Sequence, residues 1–163
     1  MKWMKTRDIV FGGLIAALYV VLTMVSAAFG LASGVIQIRL SESLCLLPCL
    51  TAAAVPGLTV GCVLANWITG CLPMDILFGS LATLIGAAGS RMMKKNPQWA
   101  WIPPVLSNAV IIPPVLTYVY HVQDAWWFMV LTVGAGELIS CALIGMAVYE
   151  AASKNHLLSR NWR

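Results

Sequence analysis

The chain has 163 residues, of which 60% are hydrophobic and only 10% are charged. A soluble domain carries about 25% charged residues, so this composition excludes a soluble globular protein and predicts an all-α integral membrane protein. The net charge of +4 does not indicate nucleic-acid binding, because nine of the ten Lys and Arg residues form three clusters typical of cytoplasmic flanks. These clusters are Lys2, Lys5 and Arg7; Arg91, Lys94 and Lys95; and Lys154, Arg160 and Arg163.

Six apolar helices are predicted in one membrane domain that comprises residues 1–163. The charge-free stretch from Ile9 to Ile38 is longer than the apolar part of a secretory signal, so we expect a retained helix there. The pair Pro56-Gly57 predicts a turn between two short helices, and a second turn is expected at 71–74. Pro103 suits the first turn of another helix. The expected helices are approximately 9–29, 43–55, 57–70, 75–92, 103–120 and 125–151.

The topology follows from the helix count and the basic clusters. Six spans would put the N-terminus, the C-terminus and the loop at 91–95 on one side of the membrane. All three basic clusters lie in these regions, and basic flanks favour the cytoplasm. We therefore expect a multi-pass protein of the plasma membrane with both termini cytoplasmic.

A group of polar residues lies between the first two predicted helices. Gln37, Arg39, Ser41 and Glu42 stand between stretches apolar enough for lipid, and Arg39 is the one basic residue outside the three clusters. Charges this close to a bilayer are costly and usually functional. The group therefore predicts a ligand site or the gate over one, although a solvated loop is an alternative.

Three further polar residues are expected at membrane depth. Glu137 lies about 12 residues into the last helix, roughly 18 Å from its outer end. A carboxylate at that depth should face a cavity or a partner, and the alternative is a protonated carboxyl that joins helices. Asn108 reaches a similar depth and Asn66 lies nearer the outer end. Each is a candidate ligand contact or a simple bridge between helices.

Aromatic and polar residues cluster around the loop between the fifth and sixth helices. They could form a stacking platform for a flat heterocycle or an ordinary interfacial aromatic belt. The residues are Tyr118, Tyr120, His121, Asp124, Trp126 and Trp127.

Small residues recur four apart on three predicted helices, a spacing that lets backbones approach closely. On the third and sixth helices the spacing predicts internal packing. On the first helix it could instead serve a partner protein, through Gly12, Gly13, Ala16 and Ala17.

The motifs of several chemistries are missing from the sequence. There is no GxxxxGK[ST], GxSxG or HExxH, so we expect no enzyme and no ATPase activity of the chain's own. The five cysteines lie in apolar segments without a nearby histidine at ligand spacing, so no metal site and no cofactor in the chain are expected.

Four blocks resemble a known family, the queuosine-precursor transporter (QueT) family. These are GGLIAALYVVLT, IQIRLSESL, AAAVPGLTVGCVLAN and DILFGSLATLIGA, and together they cover the chain from the first helix to about Ala88. Members are substrate-binding S-components of energy-coupling factor (ECF) transporters. The resemblance implies a six-transmembrane-helix bundle of the S-component type. It also implies docking on a transmembrane coupling subunit driven by two ATPase subunits, which use the ATP.

The resemblance implies a 7-deazaguanine as ligand, namely preQ0, preQ1 or queuine. We expect Glu137 to accept hydrogen bonds from the base, with Asn108 or Asn66 on the remaining edge, Arg39 at the carbonyl oxygen and an aromatic ring stacked on the base. The docking motif matches Gly13 and Ala17, with Gly12 and Ala16 beside them. Two alternatives stay open: an S-component for another vitamin, and a solitary proton-coupled transporter that uses Glu137.

Overall fold

A computed structural model describes residues 6–30 and 38–154, and every regular element in these ranges is helical. Six helical elements follow one another, and a 3-10 turn at Pro97–Trp99 precedes the fifth. They are α1 (Thr6–Ala28), α2 (Leu40–Leu50), α3 (Ala54–Ile68), α4 (Pro73–Met92), α5 (Ile102–Tyr118) and α6 (Trp126–Lys154).

Within the described ranges, α1, α4, α5 and α6 are long and apolar enough to cross a membrane. The helices α2 and α3 are apolar but shorter, so six full spans are not confirmed. At about 1.5 Å per residue, the 15 residues of α3 extend roughly 22 Å, less than the ~30 Å hydrocarbon core.

The predicted turn at Pro56-Gly57 is wrong. Helix α2 ends at Leu50 and α3 begins at Ala54, so the chain turns three residues earlier, where the Ala53 N–H donates to the Thr51 hydroxyl over 3.2 Å. Pro56 then lies in the first turn of α3. The amide groups of a first turn have no partner within the helix, so proline costs little there.

A second turn is present, two residues earlier than the predicted 71–74, because α3 ends at Ile68 and α4 begins at Pro73. Gly70 has a φ of 76°, and the Cys71 N–H donates to the Asn66 carbonyl over 2.9 Å. This is the hydrogen bond of a Schellman helix end, which favours glycine in the left-handed position. The turn fixes the last part of α3, and Asn66 with it.

Close packing of α1 against α3 depends on small residues. A Cβ atom added to Gly57 would lie 2.7 Å from the Gly12 carbonyl oxygen, and one added to Gly61 would lie 2.8 Å from the Tyr19 Cβ. The two backbones therefore touch along this line, as small residues four apart allow. Gly12 and the buried Ala16 face α3 rather than the surface.

Helix α6 changes its hydrogen-bonding pattern halfway along. It is α-helical over Trp126–Glu137, π-helical over Leu138–Ile144 and α-helical again over Gly145–Lys154. The π segment packs against the Leu40–Leu46 part of α2. Short π segments occur frequently at functional sites, and this one begins immediately after Glu137.

Candidate functional site

Polar side chains from five elements meet inside the bundle. Glu42 and Glu137 are 4% and 7% exposed, and both asparagines are at least as deeply enclosed as Glu137. Buried charges are stable only when other polar groups surround them. We call this group the buried polar centre; it consists of Tyr19, Arg39, Glu42, Asn66, Asn108, Glu137 and Cys141.

The start of α2 brings Glu42 inward. The Leu40 N–H donates to the Ser26 hydroxyl of α1 over 2.9 Å, which anchors this turn to α1. The Tyr19 hydroxyl then donates to the Glu42 Oε1. Ser41 and Glu42 are therefore interior and Arg39 is half-buried, so the solvated-loop alternative is wrong for Ser41 and Glu42. Gln37 lies outside the described residues.

Arg39 joins α2 to α3. Its Nη2 donates to the Asn66 Oδ1 over 3.0 Å. The Asn66 Nδ2 lies 3.6 Å from the Cys62 Sγ and close to Gly79, where an added Cβ would come within 3.1 Å of it. Asn66 is therefore held from three sides, and its amide oxygen presents a fixed acceptor to the guanidinium.

The two carboxyl groups lie close to each other. A carboxylate oxygen of Glu42, a carboxylate oxygen of Glu137 and the Cys141 Sγ all lie within 4.8 Å of one another. The Cys141 Sγ donates over 3.4 Å to the Glu137 Oε2, or over 3.5 Å to the Glu42 carbonyl oxygen. Asn108 also interacts with Glu137 through its side chain. The trio could hold a metal ion, and the expectation of no metal site stays a prediction.

Sequence reasoning missed Tyr19 and Cys141. An aromatic ring or a thiol in an apolar helix usually belongs to the core, and both side chains are indeed fully buried. A signal was present for Tyr19, because Tyr19, Thr23 and Ser26 recur at i, i+4 and i+7. That spacing forms a polar stripe along one helix face, and the stripe is buried in the structure.

The predicted aromatic platform lies at the surface. Trp126 and Trp127 are 59% and 64% exposed, and Trp127 packs edge-on against Phe128. His121 is exposed as well. The structure does not bring these rings into the buried polar centre.

Tyr120 connects the α5–α6 loop to the start of α4. Its hydroxyl donates to the Asp75 Oδ2 over 2.8 Å and accepts the Leu72 N–H over 3.3 Å. Partial burial and the Asp75 carboxylate raise the pKa of the Tyr120 phenol above its ordinary value. The Tyr120 side chain therefore joins the α5–α6 loop to the start of α4.

The small residues of α1 divide between two faces. Gly13 and Ala17 are exposed, and a Cβ added to Gly13 would meet no heavy atom of the described residues within 4 Å. Gly12 is half-buried and Ala16 buried, both against α3. Of the four predicted docking residues, Gly13 and Ala17 are therefore accessible to a partner.

Comparison with known proteins agrees with the motifs quoted above. The family description "QueT transporter" matches residues 9–154. The queuosine precursor transporter QueT of Lactococcus lactis subsp. cremoris (strain MG1363) is 36% identical over 85 residues, which are 52% of this chain and 50% of the relative. The alignment thus spans about half the length of that relative. No solved structure matches the chain.

The family match covers nearly all of the described helices, including those that carry both carboxyl groups of the buried polar centre. The apolar helices of the described ranges are those of a multi-pass membrane protein. The chain therefore belongs to the QueT transporter family.

Proposed function

We propose that this chain is the substrate-binding S-component of an ECF importer, and that its buried polar centre binds a queuosine precursor of the 7-deazaguanine class. The observation that carries the proposal is the meeting of Arg39, Glu42, Asn108 and Glu137 inside an otherwise apolar bundle. The name of the Lactococcus lactis relative supports the substrate class.

The chemistry of the base fits these side chains. A 7-deazaguanine presents two adjacent donors, N1–H and the 2-amino group, which one carboxylate accepts as a pair. Glu137 takes this role, and Asn108 beside it contributes to the same edge. The neighbouring carbonyl oxygen of the base accepts from Arg39, whose guanidinium is already oriented by Asn66.

Energy for uptake comes from partner subunits in this proposal. The chain has no phosphate-binding loop motif, so a transmembrane coupling subunit and two ATPases supply the driving force. The exposed pair Gly13 and Ala17 on α1 forms the docking surface, since small residues let a partner helix come close. The ligand enters from outside the plasma membrane, and both termini are cytoplasmic.

One observation favours a second candidate function. One carboxylate oxygen of Glu42 lies within 4.8 Å of one carboxylate oxygen of Glu137. Two carboxyl groups this close can share a proton. A solitary proton-coupled transporter would use this pair for coupling. An S-component for a different vitamin would keep the architecture but change the ligand.

An uptake assay separates the three candidates. Cells without their own uptake system express the chain alone or together with an ECF coupling subunit and its two ATPases, and import of labelled preQ1 is measured. The proposal predicts import only with the partners, and competition by preQ1 but not by unrelated vitamins. Import by the chain alone that a protonophore abolishes would instead support the solitary transporter. Competition by another vitamin would support the third candidate.

A further inference from the structure

An open apolar groove runs along the outside of the bundle between α4 and α5. Its volume is about 640 Å³, which is in the range of ligand sites in proteins. One wall comes from α4, between Ile85 and Met92, and the other from α5, between Pro103 and Ile111. The walls meet at the floor, where a Cβ added to Gly89 would collide with the Pro103 side chain. The groove is therefore a fixed feature of the packing of α4 on α5.

The rim of the groove consists of large apolar side chains that no described residue covers. Met92, Leu106 and Val110 are 84%, 58% and 64% exposed. Helices that associate in membranes use small residues so that their backbones approach closely, but Gly89 is already filled by Pro103. Long and branched side chains along the rim instead suit the flexible methylene chain of a lipid.

The length of the groove matches one leaflet of a bilayer. The wall on α4 runs from Ile85 to Met92, roughly 10 Å along the helix, and the wall on α5 runs from Pro103 to Ile111, roughly 12 Å. One leaflet is about half of a ~30 Å hydrocarbon core. An acyl chain of that leaflet can therefore lie in the groove over most of its length.

Electrostatic charge distinguishes the two ends of α4. The chain between Asp75 and Asp124 has three charged side chains, and all three are basic. Two of them, Lys94 and Lys95, are exposed in the loop that joins α4 to α5, just beyond Met92. The opposite end of α4 carries the Asp75 carboxylate instead. The groove therefore opens toward positive charge at the end where the loop joins its two walls.

We propose that this groove is a binding site for an anionic phospholipid, whose acyl chain lies between Ile85 and Leu106 and whose phosphate contacts Lys94 and Lys95. Basic sites beside and between transmembrane helices attract anionic headgroups. Trp99 of the same loop is 52% exposed, and tryptophan is enriched at the headgroup level of membranes. The loop thus lies at the depth of the phosphates, and the groove below it lies at the depth of the chains.

The test measures binding of dioleoylphosphatidylglycerol and dioleoylphosphatidylcholine to the purified full chain in detergent by native mass spectrometry. The two lipids have the same acyl chains, and the first alone carries a net negative charge. We expect the wild type to bind phosphatidylglycerol about tenfold tighter or more, because both lysines attract its headgroup. Lys94→Gln with Lys95→Gln should remove most of this preference and retain binding of phosphatidylcholine. Lys2→Gln with Lys5→Gln, which removes the same charge from another basic cluster, should keep the preference.

A second variant tests the groove itself. Ala88 is exposed and lines the groove, so Ala88→Phe fills it without disturbing the core. We expect about tenfold weaker binding of both lipids. Ala151→Phe, at an exposed position of α6, should bind both lipids like the wild type.

Equal affinities of the wild type for the two lipids would overturn the inference, and this comparison needs no variant. An unchanged preference in folded Lys94→Gln with Lys95→Gln would overturn it as well. If Ala88→Phe bound both lipids like the wild type but no longer assembled with a transmembrane partner, the groove would be a contact for a partner helix. Glycerol 3-phosphate in excess should not displace phosphatidylglycerol, and displacement would show a phosphate site without a role for the chain. None of the groove residues belongs to the buried polar centre, so these outcomes do not depend on the proposed function.

Discussion

The position of the Tyr19 hydroxyl is fixed by the packing of its buried ring. Its ring lies where α1 packs closely on α3, and Gly61 leaves just enough room for its Cβ. The hydroxyl donates to a carboxyl group that would otherwise be buried with fewer partners. Hydrogen bonds to charged groups contribute about 1.5–3 kcal/mol, so this one phenol has a measurable share in orienting Glu42.

Tyr19→Phe removes the hydroxyl and keeps the ring. We expect it to weaken binding of preQ1 about tenfold, because Glu42 loses the donor that orients it. Calorimetry on the purified variant checks this. Tyr118→Phe is the matched control, since Tyr118 is 79% exposed and should leave the affinity unchanged. An unchanged affinity of Tyr19→Phe would show that the Tyr19 hydroxyl does not orient Glu42 for the ligand.

Arg39 is the only basic residue of the buried polar centre. Removing one partner from a buried set of charges costs about 3–5 kcal/mol, because the remaining charges lose their compensation. We expect Arg39→Leu to lower the midpoint of thermal unfolding in detergent clearly, and Arg39→Leu with Glu42→Gln to recover part of the loss. If the double variant unfolded at a temperature below both single variants, the two side chains would not compensate each other.

The charged and amide members of the centre could be predicted from the sequence, because polar residues within apolar stretches are conspicuous. Arg39, Glu42, Asn66, Asn108 and Glu137 all belong to this kind, and the structure gathers them. Tyr19 and Cys141 could not be recognised in the same way, since rings and thiols are common in apolar cores. The exposed rings of Trp126 and Trp127 show the opposite problem: an interfacial aromatic looks the same in sequence as a stacking residue.

At the scale of elements, α1 and α3 form a close helix pair in which small residues are decisive. Gly57 meets the Gly12 carbonyl oxygen with no space for a methyl group, whereas a Cβ on Gly13 would meet none of the described residues within 4 Å. The same sequence spacing thus produces one packed face and one free face. The sequence spacing does not predict which face is packed, because that depends on the side of α1 against which α3 packs.

Gly57→Ala and Gly13→Ala make a matched pair for this packing. The first places a Cβ 2.7 Å from a backbone oxygen, so we expect it to destabilise the protein by about 1–3 kcal/mol through overpacking. The second should leave stability unchanged or slightly raised, because alanine favours helix more than glycine does. Thermal unfolding followed by tryptophan fluorescence measures both. Equal midpoints for the two variants would contradict the packing described.

Helix boundaries were predictable where glycine and proline act through fixed φ angles or missing donors. The turn before α4 is of this type, although Gly70 and Pro73 place it two residues earlier than expected. Pro56 misled because a proline in a first helical turn and a proline in a loop are alike in sequence. The π segment after Glu137 had no sequence signal, since it depends on how α6 packs against α2.

At the scale of the whole molecule, the proposed function assigns ligand binding and partner docking to different surfaces. The buried polar centre lies inside the bundle, and Gly13 and Ala17 face outward from α1. Ala17→Leu should therefore abolish most ECF-dependent import of preQ1 while the purified chain keeps its affinity for the ligand. A variant that imports normally would show that the docking surface lies elsewhere, and one that loses binding would show that the two surfaces are not independent.

The proposed ligand site is tested most directly by the affinity of Glu137→Gln for preQ1, measured by calorimetry beside Glu150→Gln, which carries the same substitution at an exposed position of α6. We expect a loss of about a hundredfold for Glu137→Gln, because a carboxylate that accepts two donors is replaced by an amide. Glu150→Gln should bind like the wild type. Equal affinities of the two folded variants would contradict the assignment of the buried polar centre as the ligand site.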